Sequence, residues 1–187
     1  MRKLLRSTLN RDGRSAVLIT HDLLDVLTLA DRVLILESGR VAETGKAASI
    51  LATTRSHFGA RFAGVNLVSG SAGQDGALTT EWGTVWHGTP APDLVVGQPA
   101  VAVFPPAAVA VYRDKPHGSP RNPVEVTVAE LDSSGAAIRV RADEQPDGAP
   151  GLAADITGES AAELRLAPGE RVYFSVKAQE IAVHPAA

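Results

Sequence analysis

Near residue 64 the texture of the sequence changes, and no single regular architecture satisfies both sides of the change. Before it, helix and strand patterns alternate. An amphipathic helix carrying Leu4, Leu5 and Leu9 ends at the turn Arg11-Asp12-Gly13-Arg14. Ser15 to Thr20 (SAVLIT) is then a continuous apolar run of the kind a buried parallel strand presents. Asp22 and Asp25 form a helix-start pattern ahead of Leu23, Val26, Leu27 and Ala30, which predicts a helix over about 22–31. Val33 to Leu36 and Val41 to Glu43, linked by Glu37-Ser38-Gly39-Arg40, predict a hairpin with Gly39 in its turn, and a short helix follows near 46–52. After Gly64, short apolar runs are separated by Gly, Pro and Asp, the composition of a small all-β barrel or sandwich. Strands are expected at 79–86, 100–104, 124–131, 136–142, 152–157, 171–176 and 181–183, with a loop at 114–123 and a helix only at 160–166. The last five strands, with one helix before the fourth of them, predict an OB-like barrel. Three segments result: an α/β segment 1–63, a connecting β region 64–115 and a terminal barrel 116–187.

Charge follows the same division. Residues 1–62 hold ten Lys/Arg against six Asp/Glu, a net +4, whereas 63–187 hold eight against fifteen, a net −7. An acidic second half argues against a general nucleic-acid surface, which needs clustered cations on one face, and only eight Phe, Trp and Tyr are present to stack on bases. Any anion bound there requires a local, pre-organised site. The 44% apolar content is that of a chain that buries a core. No apolar run reaches the roughly 20 residues needed to cross a bilayer, and the absence of cysteine removes disulfides and thiolate metal sites. The expectation is a soluble, unexported protein.

A run of residues with matched spacing singles out His21. It comprises Ile19-Thr20-His21-Asp22, Asp25-Val26, Leu29-Ala30-Asp31-Arg32-Val33, Ile35-Leu36, Gly39-Arg40-Val41 and Gly45. Over about 40 residues this resembles the last part of an ABC-transporter ATPase domain. The resemblance implies that His21 is the switch histidine, which contacts the terminal phosphate of ATP. The position suits that chemistry, because ligands of α/β sheets sit beyond the carboxyl ends of strands and a neutral imidazole can link a phosphate oxygen to the attacking water. Without the surrounding run, a lone histidine after a strand would read as a helix-capping or surface residue.

Two further stretches imitate phosphate motifs. Gly39 to Ala47 has five residues between its glycines and ends in Ala, so it lacks both the spacing and the hydroxyl of G-x-x-x-x-G-K-[ST]. Ser69-Gly70-Ser71-Ala72-Gly73-Gln74 is similar to the Ser-Gly-Gly-Gln signature of that ATPase family but follows the histidine instead of preceding it. Neither is a nucleotide site. With the phosphate loop, signature and magnesium-binding strand lacking, this polypeptide alone is expected not to hydrolyse ATP; ATP and Mg would belong to a full-length context.

The tail carries a second constellation over roughly 117–184: Ser119-Pro120-Arg121-Asn122, Leu131 with Gly135, Ile156-Thr157-Gly158-Glu159-Ser160, Glu163-Leu164-Arg165-Leu166, Gly169 and Val176-Lys177-Ala178. It resembles the molybdate-binding Mop domain, of the TOBE kind, with Pro120 standing where that family usually has Ala. The resemblance implies that Ser119, Arg121, Thr157, Ser160, Lys177 and Ala178 surround a tetrahedral oxyanion, molybdate or tungstate. Two cations with hydroxyl and backbone donors suit a dianion with four oxygens. Ser160 also starts the predicted helix, where free N–H groups favour an anion, but Ser160-Ala161-Ala162-Glu163 equally reads as a capping box. His87, His117 and Trp86 have no partners at metal-ligand spacing and read as loop or packing residues, so no metal site is expected.

Together the two resemblances imply the C-terminal part of the ATP-binding subunit of a molybdate ABC importer. Such a subunit is cytoplasmic, lies against the inner face of the membrane, works with a permease and forms a homodimer through its terminal domains. Two alternatives remain: a stand-alone molybdate-binding or storage protein, for which residues 1–45 would have no use, and a dimerisation barrel with an empty site. Molybdate, tungstate and sulfate differ mainly in size, and residue types do not set a cavity radius.

Overall fold

The computed structural model describes residues 2–12 and 15–187, with only the backbone described at 9–12. It divides into two compact units, one up to Ala63 and one from Gly64 to Ala186. Among the described residues no helix is long and apolar enough to cross a membrane.

Among its described residues the first unit contains four helices and one hairpin: α1 (Arg2–Asp12), α2 (Leu23–Leu29), β1 (Arg32–Glu37), β2 (Arg40–Lys46), α3 (Ala47–Ala52) and α4 (His57–Ala63). Asp22 starts α2 by accepting a 2.8 Å hydrogen bond from the Leu24 N–H, the role that its residue type favours. The hairpin turns through Ser38 and Gly39, both at positive φ, as a tight two-residue connection demands. Buried Glu43 ties β2 to the α3–α4 link, its Oε1 accepting from the Thr54 hydroxyl at 3.0 Å, the Ser56 N–H at 3.0 Å and the Ser56 hydroxyl at 2.5 Å.

The predicted parallel strand at 15–20 is not formed. The segment runs without a strand partner, leaving Val17 97% and Ile19 96% exposed. A strand is defined by its ladder, and among the described residues this unit offers only an antiparallel hairpin already paired with itself, so an apolar run alone does not make a sheet. Of the α/β pattern expected, the described residues of this unit form the helices and the hairpin but not this strand. Helix α2 is shorter than predicted, α4 was not predicted, and part of the Arg11–Arg14 turn lies outside the described residues.

The second unit is two OB-like copies of one β plan. The first copy comprises β3 (Asn66–Ala72), β4 (Ala77–Thr79), β5 (Val85–His87), a short β6 (Thr89–Pro90), β7 (Pro99–Phe104) and β8 (Val109–Tyr112). The second comprises β9 (Asn122–Ser134), β10 (Ala137–Ala142), β11 (Ala153–Ile156), α5 (Gly158–Glu163), β12 (Arg171–Val176) and β13 (Ala182–Pro185). The likeness is most exact at the ends: β7 and β12 each follow a glycine at φ 87, Gly97 and Gly169. Each is then followed by a single 3₁₀ turn, Pro106–Ala108 or Ala178–Glu180, before the last strand.

Those last strands cross over. One sheet has the order β11-β10-β9-β12-β8 and the other β5-β4-β3-β7-β13-β6, so β8 completes the second copy's sheet and β13 the first's. Residues 64–115 and 116–187 are thereby interlocked around one core, in which Trp86 stacks on Phe104 (5.3 Å between centroids) beside Leu78, Val128, Phe174 and Ile181.

Two buried asparagines lock the copies together, one at the first residue of β11 and the other at the last residue of β5. Asn66, which opens β3, donates to the Ala153 carbonyl (2.9 Å) and accepts from the Ala153 N–H (2.7 Å). Asn122, which opens β9, donates to the His87 carbonyl (3.0 Å) and accepts from the His87 N–H (2.7 Å), and also donates to the Val176 carbonyl (3.0 Å). Each amide supplies a donor and an acceptor to a strand that would otherwise bury both unpaired.

Replacing either asparagine by alanine strands those backbone groups, so Asn66→Ala and Asn122→Ala should each lower the unfolding free energy by about 2–4 kcal/mol. Asn122→Asp, isosteric but without the donor that two carbonyls share, should lose at least as much in the same urea titration.

Candidate functional site

Asn122 also organises the cationic part of the candidate site. It sits opposite Val176 in the β9–β12 ladder, both residues buried, so the neighbours Arg121 and Lys177 leave the two strand ends side by side. Both are exposed, and neither is in an ion pair or side-chain hydrogen bond among the described residues. Adjacent like charges across a ladder repel. An arrangement of this kind is stabilised by an anion that both cations face. Ser119 and Pro120 lie in the loop leading to Arg121, and Ala178 starts the 3₁₀ turn after Lys177.

Beside this end of β12 is an open groove lined by Pro105, Ala110, Tyr112, Pro120, Ser175 and Lys177, with Glu180 also on its wall. The Ser175 side chain is 2% exposed and its Oγ has no hydrogen-bond partner. Asn122 and Ser175 were not anticipated as site residues. A recurrent asparagine at the start of an apolar run, at 66 and again at 122, is the signal that would have shown the first; nothing in the sequence distinguishes Ser175.

Thr157 and Ser160 form a separate pair. The Thr157 hydroxyl donates to Ser160 Oγ at 2.9 Å and accepts from the Ser160 N–H at 3.1 Å. The expectation that Ser160 begins the helix is corrected: Thr157 is the cap and α5 starts at Gly158, because the Thr157 backbone is extended and its hydroxyl already satisfies the Ser160 N–H. This pair stands at the other end of the barrel. Thr157 follows Ile156, which pairs through Ile138 to Ser133 near the far end of the 13-residue β9, on the order of 40 Å of extended chain from Arg121. Arg113 confirms the polarity. It binds the carbonyls of Leu164 and Arg165, just after α5, and pairs with Glu170, beside the first residue of β12, whereas Lys177 follows the last. One chain therefore brings together Ser119, Arg121, Lys177 and Ala178, and separately Thr157 with Ser160.

The Thr157 end is held by an ion pair one strand away. Arg139 on β10 grips Asp155 on β11 through two 2.7 Å bonds, both side chains being about one-fifth exposed. The hydrogen bonds from Arg139 hold the Asp155 carboxyl below its ordinary value. In the first unit, His21 is exposed in the extended segment immediately before the Asp22 cap. Arg2 reaches Asp22 and Asp25 nearby, and the Arg2 guanidinium, followed by the Thr20 hydroxyl, lowers the Asp25 pKa. The phosphate-loop imitation and the signature imitation lie largely in regular structure, Arg40–Lys46 in strand β2 and Ser69–Ala72 in β3. Among the described residues no group of His, Cys, Asp and Glu could hold a metal ion.

Comparison with known proteins adds sequence and fold relationships. The TOBE domain family matches residues 118–183. The chain is 62% identical over 186 residues to the molybdenum import ATP-binding protein ModC of Mycobacterium tuberculosis, an alignment covering all of this chain and half of that protein. It is 30% identical over 178 residues to the molybdate/tungstate import ATP-binding protein WtpC of Pyrococcus horikoshii, covering 92% of this chain and 48% of that protein. The sulfate/thiosulfate import ATP-binding protein CysA 2 of Chromobacterium violaceum is 29% identical over 188 residues, covering 99% and 50%. The chain thus spans about half the length of the curated relatives it matches. Among solved structures, the cytoplasmic molybdate-binding protein ModG in its molybdate-bound form superposes with a TM-score of 0.55 at 21% identity, covering 64% of this chain and 95% of that one. That likeness is one of fold.

The Arg139–Asp155 pair yields a pH test. A carboxyl whose pKa is depressed on folding contributes stability above its unfolded pKa and loses it as pH falls through the folded one. Asp155→Asn should therefore cost about 1–2 kcal/mol in urea unfolding at about pH 7, and the gap from the unsubstituted protein should close below about pH 4.

Proposed function

The chain is homologous throughout its length to the C-terminal half of a molybdenum import ATP-binding protein and carries a TOBE domain. From that premise we propose that it is the regulatory part of such a subunit, binding molybdate or tungstate in the cytoplasm. The observation that carries the reading is the meeting of Arg121 and Lys177 at Asn122, with no carboxylate paired to either among the described residues. Two charge-assisted donor groups, the Ser119 hydroxyl and the Ala178 N–H offer a tetrahedral dianion a matched set of partners. Thr157 and Ser160, at the opposite end of the barrel, would reach such an anion only from another copy of the chain, which accords with a homodimer through this domain.

The first unit supports the transporter reading over a stand-alone storage protein. Val17 and Ile19, almost fully exposed on an unpaired extended segment, are the residues that a flanking parallel strand would cover, and His21 follows them directly. In a full-length ATPase this segment would become an inner strand and His21 would face the terminal phosphate of Mg-bound ATP, the subunit working on a membrane permease. The 187 residues by themselves contain no phosphate loop.

Calorimetric titration of the purified chain with molybdate, tungstate and sulfate tests the proposal. Molybdate or tungstate should bind, and an Arg121→Ala, Lys177→Ala variant should lose at least about a hundredfold in affinity, as expected for two charged hydrogen-bond donors. Absence of binding, or binding that the variant retains, would leave the barrel as an empty dimerisation element.

A further inference from the structure

Helix α5, which carries Ser160 in its first turn and Thr157 as its cap, is six residues long. A helix of that length does not hold itself in water, so its place is set by what grips its ends. Its last turn closes through two backbone bonds, from the Leu166 N–H to the Ala161 carbonyl (3.2 Å) and from the Arg165 N–H to the Ala162 carbonyl (3.0 Å). Between them Arg165 sits at φ 48. Glycine usually takes this left-handed position after a helix, because a Cβ is disfavoured there.

Arg113 holds that ending in place. Its Nε donates to the Leu164 carbonyl and its Nη2 to the Arg165 carbonyl, both at 2.6 Å, while its Nη1 pairs with Glu170 at 2.5 Å. The Leu164 and Arg165 carbonyls belong to the two peptide groups that flank the Arg165 Cα, so one planar guanidinium fixes both sides of the disfavoured residue. A left-handed backbone without glycine persists where its surroundings over-determine it. Arg113 is that surrounding.

The latch comes from the other copy of the β plan. Arg113 directly follows β8, whose last residue Tyr112 pairs with Tyr173 in β12, and β8 is the strand that the first copy lends to the second copy's sheet. Glu170 directly precedes β12, the strand that ends beside Lys177. A segment without any site residue of its own, 64–115, thus grips the far end of the helix that carries the hydroxyl pair.

Resting on the oxyanion reading above, we propose that Arg113 is a positioning residue for anion binding. It fixes the last turn of α5 and, through that helix, the Thr157 and Ser160 hydroxyls that one chain offers to the anion, while touching no ligand itself. Opening the latch leaves every donor present and removes the geometry that aims two of them. Arg165 keeps its place only while Arg113 grips it, so a glycine at 165, which adopts the left-handed turn unaided, substitutes for the latch.

The test is calorimetric titration of the full chain with molybdate, with circular dichroism as the check of fold. Arg113→Gln should weaken binding about tenfold, and Arg165→Gly added to it should restore most of the loss. In a Thr157→Ala, Ser160→Ala background the same Arg113→Gln change should cost less than about twofold, because residues that act as one unit are not additive. Amide exchange of Leu164, Arg165 and Leu166 should quicken about tenfold in Arg113→Gln while that of β12 stays unchanged. Equal loss of affinity in both backgrounds, or equal quickening in β12, would overturn the inference and make Arg113 a support of the whole barrel. An Arg113→Gln variant that binds as the unsubstituted chain does, beside a disabled Arg121, Lys177 variant, would overturn it while leaving the oxyanion reading intact. No binding by the unsubstituted chain would remove both.

Discussion

The second unit depends on a problem of hydrogen-bond accounting that two asparagines solve. A strand end buried between two barrels cannot leave its N–H and C=O unpaired, since each stranded group costs about 1–3 kcal/mol. Asn66 and Asn122 each present one donor and one acceptor to such an end, and they do so across the boundary between copies. The bonds decide more than stability. They set which loop of one copy lies beside which strand end of the other, and so which side chains can share a ligand. The charged end of β12 and the His87 turn are neighbours because of a side chain that itself carries no charge.

Much of the second unit was legible because its signals are local. Apolar alternation between Gly and Pro gave β7, β10, β11 and β12 nearly to the residue, and the OB-like plan followed from their count and the placed helix. The duplication was not legible. The two copies differ where a reader would compare them: the first lacks the helix between its third strand and β7, and Pro105 replaces Lys177. Strand β3 was missed because Ser69, Gly70 and Ser71 make half of it look like a loop, yet Gly70 is required there, where an added Cβ would fall 2.4 Å from the Thr79 carbonyl oxygen.

The first unit shows the converse. SAVLIT has the composition of a buried strand and still does not become one, because burial is a property of neighbours that this unit does not supply. Motif spacing picked out His21, but spacing is silent about surroundings. At the candidate site motif spacing singled out Ser119, Arg121, Thr157, Ser160, Lys177 and Ala178 but could not say how they are distributed over the barrel, since that depends on how β9 divides its pairing between β12 and β10.

The crossing of β8 and β13 has a consequence for the order in which the chain can fold. The first copy's sheet takes β13 as the neighbour of β7, yet roughly eighty residues separate them in the sequence. As the polypeptide emerges from the ribosome, the first copy has an open seam beside β7 until the second has been made almost to its end. Neither barrel can close first and wait for the other. A chain halted before Ala182 would expose the edge of β7, a ready template for another chain's strand.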